Sequence, residues 1–188
     1  ESEIRKVTSV LDEADACYSA QAENRMITSV KHKERQIARF KKLGDAEMID
    51  QIWQRVQLTD RMEQYEDIEK FVYYESKIPV RTIRERLSDI CDVTDSSFEA
   101  EKGDSGEITC KGINKAYGMD KYIAYAGIVK EDTIAFGDGP NDFDMLEYAA
   151  IGVAMGNSVE GLKSRADFVT KDIDEDGIAY ALKELGLI

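Results

Sequence analysis

The chain has 188 residues, of which 43% are hydrophobic and 9% aromatic, enough to form one or two packed domains. Its 25 basic and 38 acidic residues give a net charge of -13, which would repel a phosphate backbone, so no nucleic-acid partner is expected. The longest apolar stretch, residues 148–156, is far shorter than the ~20 residues of a bilayer span, which predicts a soluble, cytoplasmic protein with no membrane partner.

The residues before about 105 are rich in charge and in helix formers. Apolar residues recurring at helical spacing predict helices at residues 2–15, 29–43, 45–56 and 80–87. Alternating and β-branched or aromatic residues predict strands at residues 16–21, 70–74 and 97–100. Residues 1–104 are therefore expected to form a mixed α/β domain with an antiparallel sheet.

From residue 105 onward, short apolar runs alternate with helical segments. Strands are predicted at residues 108–110, 133–136, 151–155 and 167–170, and helices at residues 114–127, from 141 onward, and at 159–165 and 177–185. Strands and helices that alternate at this spacing are typical of right-handed βαβ units. The fold class is therefore predicted to be α/β, with a Rossmann-like parallel sheet in residues 105–188.

The three cysteines, Cys17, Cys91 and Cys110, are odd in number, far apart in sequence and without a C-x-x-C pair. This pattern predicts reduced structural thiols, because a disulfide framework or a zinc site requires closer or paired spacing. The only histidine, His32, lies in a charged helical stretch, and no G-x-S-x-G segment is present, so a Ser-His hydrolase is not expected. The segment DIDEDG resembles the start of a calcium loop, but Lys183 stands where that loop needs a glutamate.

The segment GDGPND, residues 137–142, follows the strand predicted at 133–136, where open parallel sheets bind their ligands. Two short acids on such a loop can offer oxygen ligands to Mg²⁺, which takes only one or two protein carboxylates and leaves positions for water and phosphate. In the alternative interpretation Asn141 is a helix N-cap, and Asp142 and Asp144 complement the helix dipole by about 0.3–1 kcal/mol each. The alternative explains Asp144 but not Asp138, which precedes the cap. Asp138 and Asp142 are therefore predicted as metal ligands, with both interpretations open for Asp142.

Lys115 lies between the strand predicted at 108–110 and the helix that follows it. A lone lysine there is commonly a solvated side chain, but a cation at a helix N-terminus is slightly unfavourable. If the sheet is parallel, Lys115 and Asp138 lie at the carboxyl ends of two strands and face one pocket. A cation beside a metal ligand is the arrangement that phosphoryl transfer uses.

Residues 107–187 resemble the haloacid dehalogenase (HAD) superfamily, most closely its Cof-type phosphatases with a C2-type cap. The segments ITCKGINKAYGM, TIAFGDGPNDFDMLEYAAIGVAMGNS, SRADFVT and DEDGIAYAL follow one another in that family's order and spacing. The resemblance implies a substrate-specificity cap in residues 1–104 and half of the HAD core in residues 105–188.

The resemblance also implies roles for individual residues. Asp138 would be a Mg²⁺ ligand, and Asp142 would support the metal and its waters. Asn141 would contact either the phosphate region of the substrate or the loop of the nucleophile. Lys115 would be a catalytic and substrate-binding residue that neutralises the phosphoryl oxygens and the nucleophilic aspartate. The implied activity is Mg²⁺-dependent hydrolysis of small phosphorylated metabolites, for example sugar phosphates, through an aspartyl-phosphate.

The family's nucleophile belongs to a D-x-D motif on the first strand of its core, and no D-x-D-G follows an apolar strand in these 188 residues. We therefore expect the nucleophile to lie outside them, and the 188 residues alone to be inactive. The strand at 133–136 would then have an apolar free edge, which a complementing segment or a second copy of the chain would cover.

Two other functions share the loop chemistry. The phosphorylation domain of P-type ATPases carries a similar loop, but the sequence has no membrane-spanning run. A regulatory module could instead bind phosphate or Mg²⁺ without a nucleophile, and this alternative stays open.

Overall fold

The structure is a computed structural model that describes residues 2–43, 53–96 and 103–188. It divides the chain into two compact units, Glu1–Lys111 and Gly112–Ile188. The described residues form helices and sheets in both units, which confirms the predicted α/β class. No described helix is long and apolar enough to cross a membrane.

The first unit is an α/β domain with a six-stranded sheet in its described part. Its helices are α1 (Ser2–Glu13), α2 (Val30–Leu43) and α3 (Val80–Leu87). Its strands are β1 (Cys17–Ala22), β2 (Arg25–Thr28), β3 (Val56–Leu58), β4 (Lys70–Tyr74), β5 (Cys91–Asp95) and β6 (Gly106–Cys110). The strand order is β3-β2-β1-β4-β6-β5, and neighbours are antiparallel except for the parallel pair β2 and β3.

The first core forms because apolar residues of α1 and α3 fall on one face of each helix and pack with the inward residues of the sheet. Val7, Val10 and Leu11 of α1 are buried in this core. They share it with Tyr73 of β4 and Ile108 of β6, which are also buried. The helical periodicity of residues 2–15 thus predicted both the element and the face that it buries.

Two predicted elements of the first unit and two unpredicted strands need comment. The predicted helix at 45–56 falls largely outside the described residues, and Val56 begins strand β3 instead of ending that helix. The predicted strand at 97–100 lies wholly outside them. Strands β2 and β5 were not predicted, because each is short and β5 buries only Val93 among polar neighbours.

The strand predicted at 108–110 was wrongly assigned to the parallel sheet. As part of β6 it lies antiparallel between β4 and β5, and the units divide after Lys111, several residues later than predicted. Its apolar residue Ile108 completes the first core. The local sequence of a five-residue strand does not indicate which sheet the strand will join, so its partners are determined by tertiary packing.

The second unit contains a parallel sheet of strands β7 (Ile134–Gly137), β8 (Ile151–Ala154) and β9 (Phe168–Val169), in that order in its described residues. Its helices are α4 (Lys115–Ala126), α5 (Phe143–Tyr148), α6 (Glu160–Lys163) and α7 (Gly177–Glu184). A small core of Ala135, Leu146, Ala149, Ala154 and Leu162 joins sheet and helices. The parallel sheet of this unit was therefore predicted correctly.

Candidate active site

The candidate site begins where β7 ends. Gly137 closes the strand, Asp138 follows it, and residues Pro140–Asp142 form a single 3₁₀ turn that leads into α5. The predicted helix start at Asn141 is wrong by two residues, because this turn comes first. Asn141 is consequently not the N-cap of α5; that position belongs to Asp142.

Only glycine fits at position 137. A Cβ atom there would lie 2.5 Å from the Cβ of Asp142 and 2.8 Å from Cδ1 of Leu146. Real Cβ atoms do not approach other atoms so closely, and neither neighbour can move away without disturbing the turn or the core. The missing side chain lets the loop fold back onto the strand end.

Asp142 is the buried anchor of the loop, with a side chain only 4% exposed. Its Oδ2 accepts hydrogen bonds from the backbone N–H of Asp138 at 3.0 Å and of Gly139 at 3.1 Å. Its Oδ1 accepts a hydrogen bond from Nζ of Lys115. Both carboxylate oxygens are therefore occupied, and the loop, the turn and α4 are tied together at one side chain.

Lys115 reaches this anchor from the first turn of α4, and its side chain is 47% exposed. Lys115 was predicted to follow the end of a parallel strand, which is wrong because β6 belongs to the other sheet. The lysine meets the loop because α4 packs beside α5, with Met119 against the second core. The predicted proximity to the loop is correct, but the reason is helix packing.

Asp138 differs from Asp142 in its surroundings. Asp138 is exposed, and within residues 2–43, 53–96 and 103–188 its carboxylate has no hydrogen-bond or ion-pair partner. Asn141 is half-buried, and its side-chain amide likewise makes no hydrogen bond within those ranges. The loop thus carries one free carboxylate and one free amide, and the Lys115 ammonium group contacts the same loop at Asp142.

These groups fit a magnesium ion in their donor chemistry. No cluster of three or more His, Cys, Asp or Glu side chains in the described ranges forms a ready metal site. Mg²⁺ does not require one, since it takes one or two carboxylates and fills its other positions with water and phosphate oxygens. The carboxylate of Asp138 is a suitable ligand, while the buried carboxylate of Asp142 already accepts hydrogen bonds at both of its oxygens.

Asp144 has a second contact beyond the helix dipole. It lies in the first turn of α5 as predicted, but its Oδ2 also accepts a hydrogen bond of 2.6 Å from Nδ2 of Asn114. Asn114 caps α4, because its Oδ1 accepts from the backbone N–H of Tyr117 at 2.8 Å. The sequence analysis missed Asn114, although an asparagine directly before a helix is a recognisable N-cap signal.

A second loop lies beside the first. The backbone N–H of Met155 donates to the carbonyl of Gly137 at 2.9 Å, and that of Val159 donates to the carbonyl of Asp138 at 3.2 Å. Ser158 between them is only 6% exposed, and its hydroxyl has no partner in the described part of the chain. The family resemblance included this segment, residues 156–158, but no role was predicted for Ser158, although its place after a parallel strand was the signal for a site loop.

The comparisons with known proteins agree with this fold and loop. The family model for haloacid dehalogenase-like hydrolases matches residues 1–182. The "Putative phosphatase YkrA" of Bacillus subtilis is 56% identical over 84 residues, which are 45% of this chain and 33% of that protein. The "5-amino-6-(5-phospho-D-ribitylamino)uracil phosphatase YitU" of the same organism is 41% identical over 120 residues, which are 63% of this chain and 44% of that protein.

Solved structures give the same result over a larger share of the chain. The sugar phosphatase BT4131 of HAD subclass IIB matches with a TM-score of 0.73 and 26% identity, over 99% of this chain and 66% of its own. BT1666 from Bacteroides thetaiotaomicron matches in fold with a TM-score of 0.76 and 24% identity, over 100% of this chain and 65% of its own. The chain thus spans less than two thirds of the length of each of these four proteins.

A family match across nearly all of the chain confirms the resemblance noted from the segments around Lys115 and Asp138. The chain belongs to the haloacid dehalogenase-like hydrolases, in their Cof-type branch.

Proposed function

We propose that the protein containing this chain is a Mg²⁺-dependent phosphoric monoester hydrolase. The observation that carries this proposal is the placement of three groups around one loop. Lys115 supplies a positive charge, Asp138 a free carboxylate, and Asn141 a free amide at the carboxyl end of β7. The charge of a dianionic phosphate bound there would be balanced by the Lys115 ammonium group and by a Mg²⁺ ion held at Asp138, with the Asn141 amide as a neutral donor.

Each residue has a distinct part in the proposal. Asp138 holds Mg²⁺, which when bound supplies positive charge to the phosphate oxygens. Asp142 supports that position from behind by fixing the backbone of Asp138 and Gly139 and by holding Lys115 in place. Lys115 neutralises the phosphoryl oxygens, and Asn141 orients the phosphate with its amide.

The reaction also needs a nucleophile, and we propose that an aspartate outside these 188 residues provides it. This is supported by the absence of a D-x-D-G segment after any apolar strand and by the greater length of the related proteins. In the described residues β7 is an outer strand with half-buried Ile134 and Phe136. A strand beside β7, from the same protein or from a second copy, would cover that edge and bring the nucleophile close to Asp138.

The substrate class follows from the relatives. YitU is named for a phosphorylated ribityl compound, and BT4131 is named a sugar phosphatase. We propose a small phosphorylated sugar or sugar alcohol, with the Glu1–Lys111 unit acting as the specificity cap in the cytoplasm. The chain's net charge of -13 disfavours polyanionic nucleic acids, whereas a single phosphate can be offset by Lys115 and Mg²⁺.

The test is hydrolysis of p-nitrophenyl phosphate by the full-length protein with and without Mg²⁺. We expect activity that requires the metal. It should fall by at least about 100-fold in Asp138→Asn, because loss of this carboxylate ligand removes the Mg²⁺ charge that stabilises the transition state. Asp132→Asn is the matched control, since Asp132 is an exposed acid at the opposite end of β7. It should leave the rate unchanged.

Two results would overturn the proposal. Unchanged turnover in Asp138→Asn would remove Asp138 from the site. Binding of phosphate and Mg²⁺ by the full-length protein without turnover of any phosphate monoester in a panel of sugar and sugar-alcohol phosphates would favour the regulatory module.

A further inference from the structure

Two of the three cysteines meet in the folded chain, although 18 residues separate them in sequence. Cys91 is the first residue of β5 and Cys110 the last of β6, and the two are directly opposite in the antiparallel register. Residues opposite one another in such a pair have Cα atoms roughly 4.5–5.5 Å apart. A disulfide spans a Cα separation of about 4.4–6.8 Å, so residues in this register fall within the range of Cα separations that it requires.

The two thiols also lie on one face of the sheet. Directly opposite residues of an antiparallel pair project to the same side of the sheet. The next pair on that side, two residues further along each strand, is formed by Val93 and Ile108, which are both buried. Cys91 and Cys110 both line one cavity of about 340 Å³, together with Ile4 of α1. They therefore share a common space instead of pointing apart.

The exposure of the pair suits a stepwise oxidation. Cys110 is exposed and open to a dissolved oxidant, and Cys91 is half-buried beside it. Burial raises the pKa of the Cys91 thiol to about 11, which makes Cys91 the poorer first nucleophile. Both are free thiols in the structure, and the described residues hold no third metal-binding side chain that would make the pair a metal site.

We propose that Cys91 and Cys110 form a reversible disulfide when the protein meets hydrogen peroxide. The thiolate of Cys110 attacks one peroxide oxygen, the O–O bond breaks, and the sulfenic acid of Cys110 forms with release of one water after proton transfer. The sulfur of Cys91 then attacks the sulfenic sulfur, its proton passes to the departing hydroxide, and a second water leaves. Two thiols and one peroxide thus give one disulfide and two waters, and an added dithiol returns the pair to the reduced state.

The bond would fasten an edge of the first sheet. β5 is the outermost strand on its side of the described sheet, and β6 is its strand neighbour there. A covalent link at the first residue of β5 would hold the end of this strand to β6 under oxidising conditions. The formation of the cross-link does not rest on the proposed phosphatase chemistry, because neither cysteine belongs to the loop of Asp138 or to the unit that carries it.

The experiment treats the reduced full-length protein with hydrogen peroxide, blocks remaining thiols with an alkylating reagent, and maps peptides without reduction. We expect a peptide containing Cys91 joined to one containing Cys110, and its disappearance after dithiothreitol. Cys17→Ser should leave the linked peptide in place, since Cys17 is buried in β1 and its thiol donates to the carbonyl of His32.

Cys91→Ser and Cys110→Ser should each abolish the linked peptide, and circular dichroism would verify that these variants fold. The wild-type map decides the question even if a variant does not fold. Recovery of Cys91 fully alkylated, with Cys110 as a sulfinic acid or also alkylated, would overturn the proposal. So would a linked peptide that joins Cys17 to either residue.

Discussion

Lys115 donates a hydrogen bond to the buried carboxylate of Asp142, 27 residues further along the chain. The pair joins the first turn of α4 to the loop after β7. Because Asp142 also accepts two backbone N–H groups, its charge is balanced by one cation and two dipoles. Asp138, four residues earlier, is thereby left free for a ligand.

Removal of the Lys115 charge should destabilise the second unit. In Lys115→Met the buried carboxylate loses its cation but keeps its two backbone donors, so we expect a loss of about 1–3 kcal/mol in the free energy of unfolding. The double variant Lys115→Met/Asp142→Asn should recover part of this loss, because no unpaired charge is then buried. Urea unfolding of the wild type, the two single variants and the double variant measures the coupling energy between the two side chains. Additive losses of unfolding free energy in the two single variants would contradict the prediction.

Substitution of Asp142 should destabilise the protein more than substitution of Asp138. Asp142→Asn removes the partner of Lys115 and weakens both backbone hydrogen bonds, so we expect it to cost about 1–3 kcal/mol. Asp138→Asn should change stability by less than about 0.5 kcal/mol, since its exposed carboxylate has no partner in the described residues. The midpoint of urea unfolding distinguishes them, and an equal loss in both would show that Asp138 is also structural.

Gly137→Ala should disrupt the loop directly. Its new Cβ would collide with Asp142 and Leu146, so we expect a destabilisation of about 1–3 kcal/mol, typical of overpacking. Gly118→Ala is the matched control, because Gly118 lies inside α4 with open space around its Cβ position. The control should gain about 0.5–1 kcal/mol from helix propensity. Thermal unfolding checks this prediction, since the unfolding temperature should fall in Gly137→Ala and rise in Gly118→Ala.

The first unit should lose stability in mild acid because of His32. Its side chain is buried, with the residue 2% exposed, and neither ring nitrogen has a partner in the described part of the chain. Burial, followed by the charge of Lys31, lowers the pKa of His32, an effect that Arg35 adds to and that Asp12 and Asp15 oppose. As pH falls through about 6.5, the unfolded chain binds a proton that the folded chain excludes, so the free energy of unfolding decreases.

The variant His32→Phe tests this pH dependence. Phenylalanine keeps a ring beside Tyr18, whose ring centroid lies 4.2 Å from that of His32, and it cannot titrate. Between pH 7.5 and pH 5.5 the unfolding free energy of the wild type should fall more steeply than that of His32→Phe. The two slopes should differ by up to about 1.4 kcal/mol per pH unit. Parallel slopes for the two proteins would show that His32 takes up its proton equally well when folded.

Much of the candidate site could be predicted from the sequence because its signals are local. The loop GDGPND stands directly after an apolar run, and the parallel ladder of β7 and β8 carries it to the carboxyl edge of the sheet. Asn114 was missed although its N-cap signal is also local. No role was predicted for the loop at residues 156–158, because it was included in the family resemblance but not considered for its position after β8.

The sequence by itself determined the α/β class, the parallel sheet of the second unit, most helix positions and the place of the GDGPND loop after a parallel strand. These depend on periodicity and on neighbours within a few residues. Only the tertiary structure decided that residues 106–110 join the first sheet, that Lys115 reaches Asp142 through helix packing, and that Cys91 lies opposite Cys110. Each of these depends on which distant segments pair, and that choice is made by the burial of a common core, which no local pattern encodes.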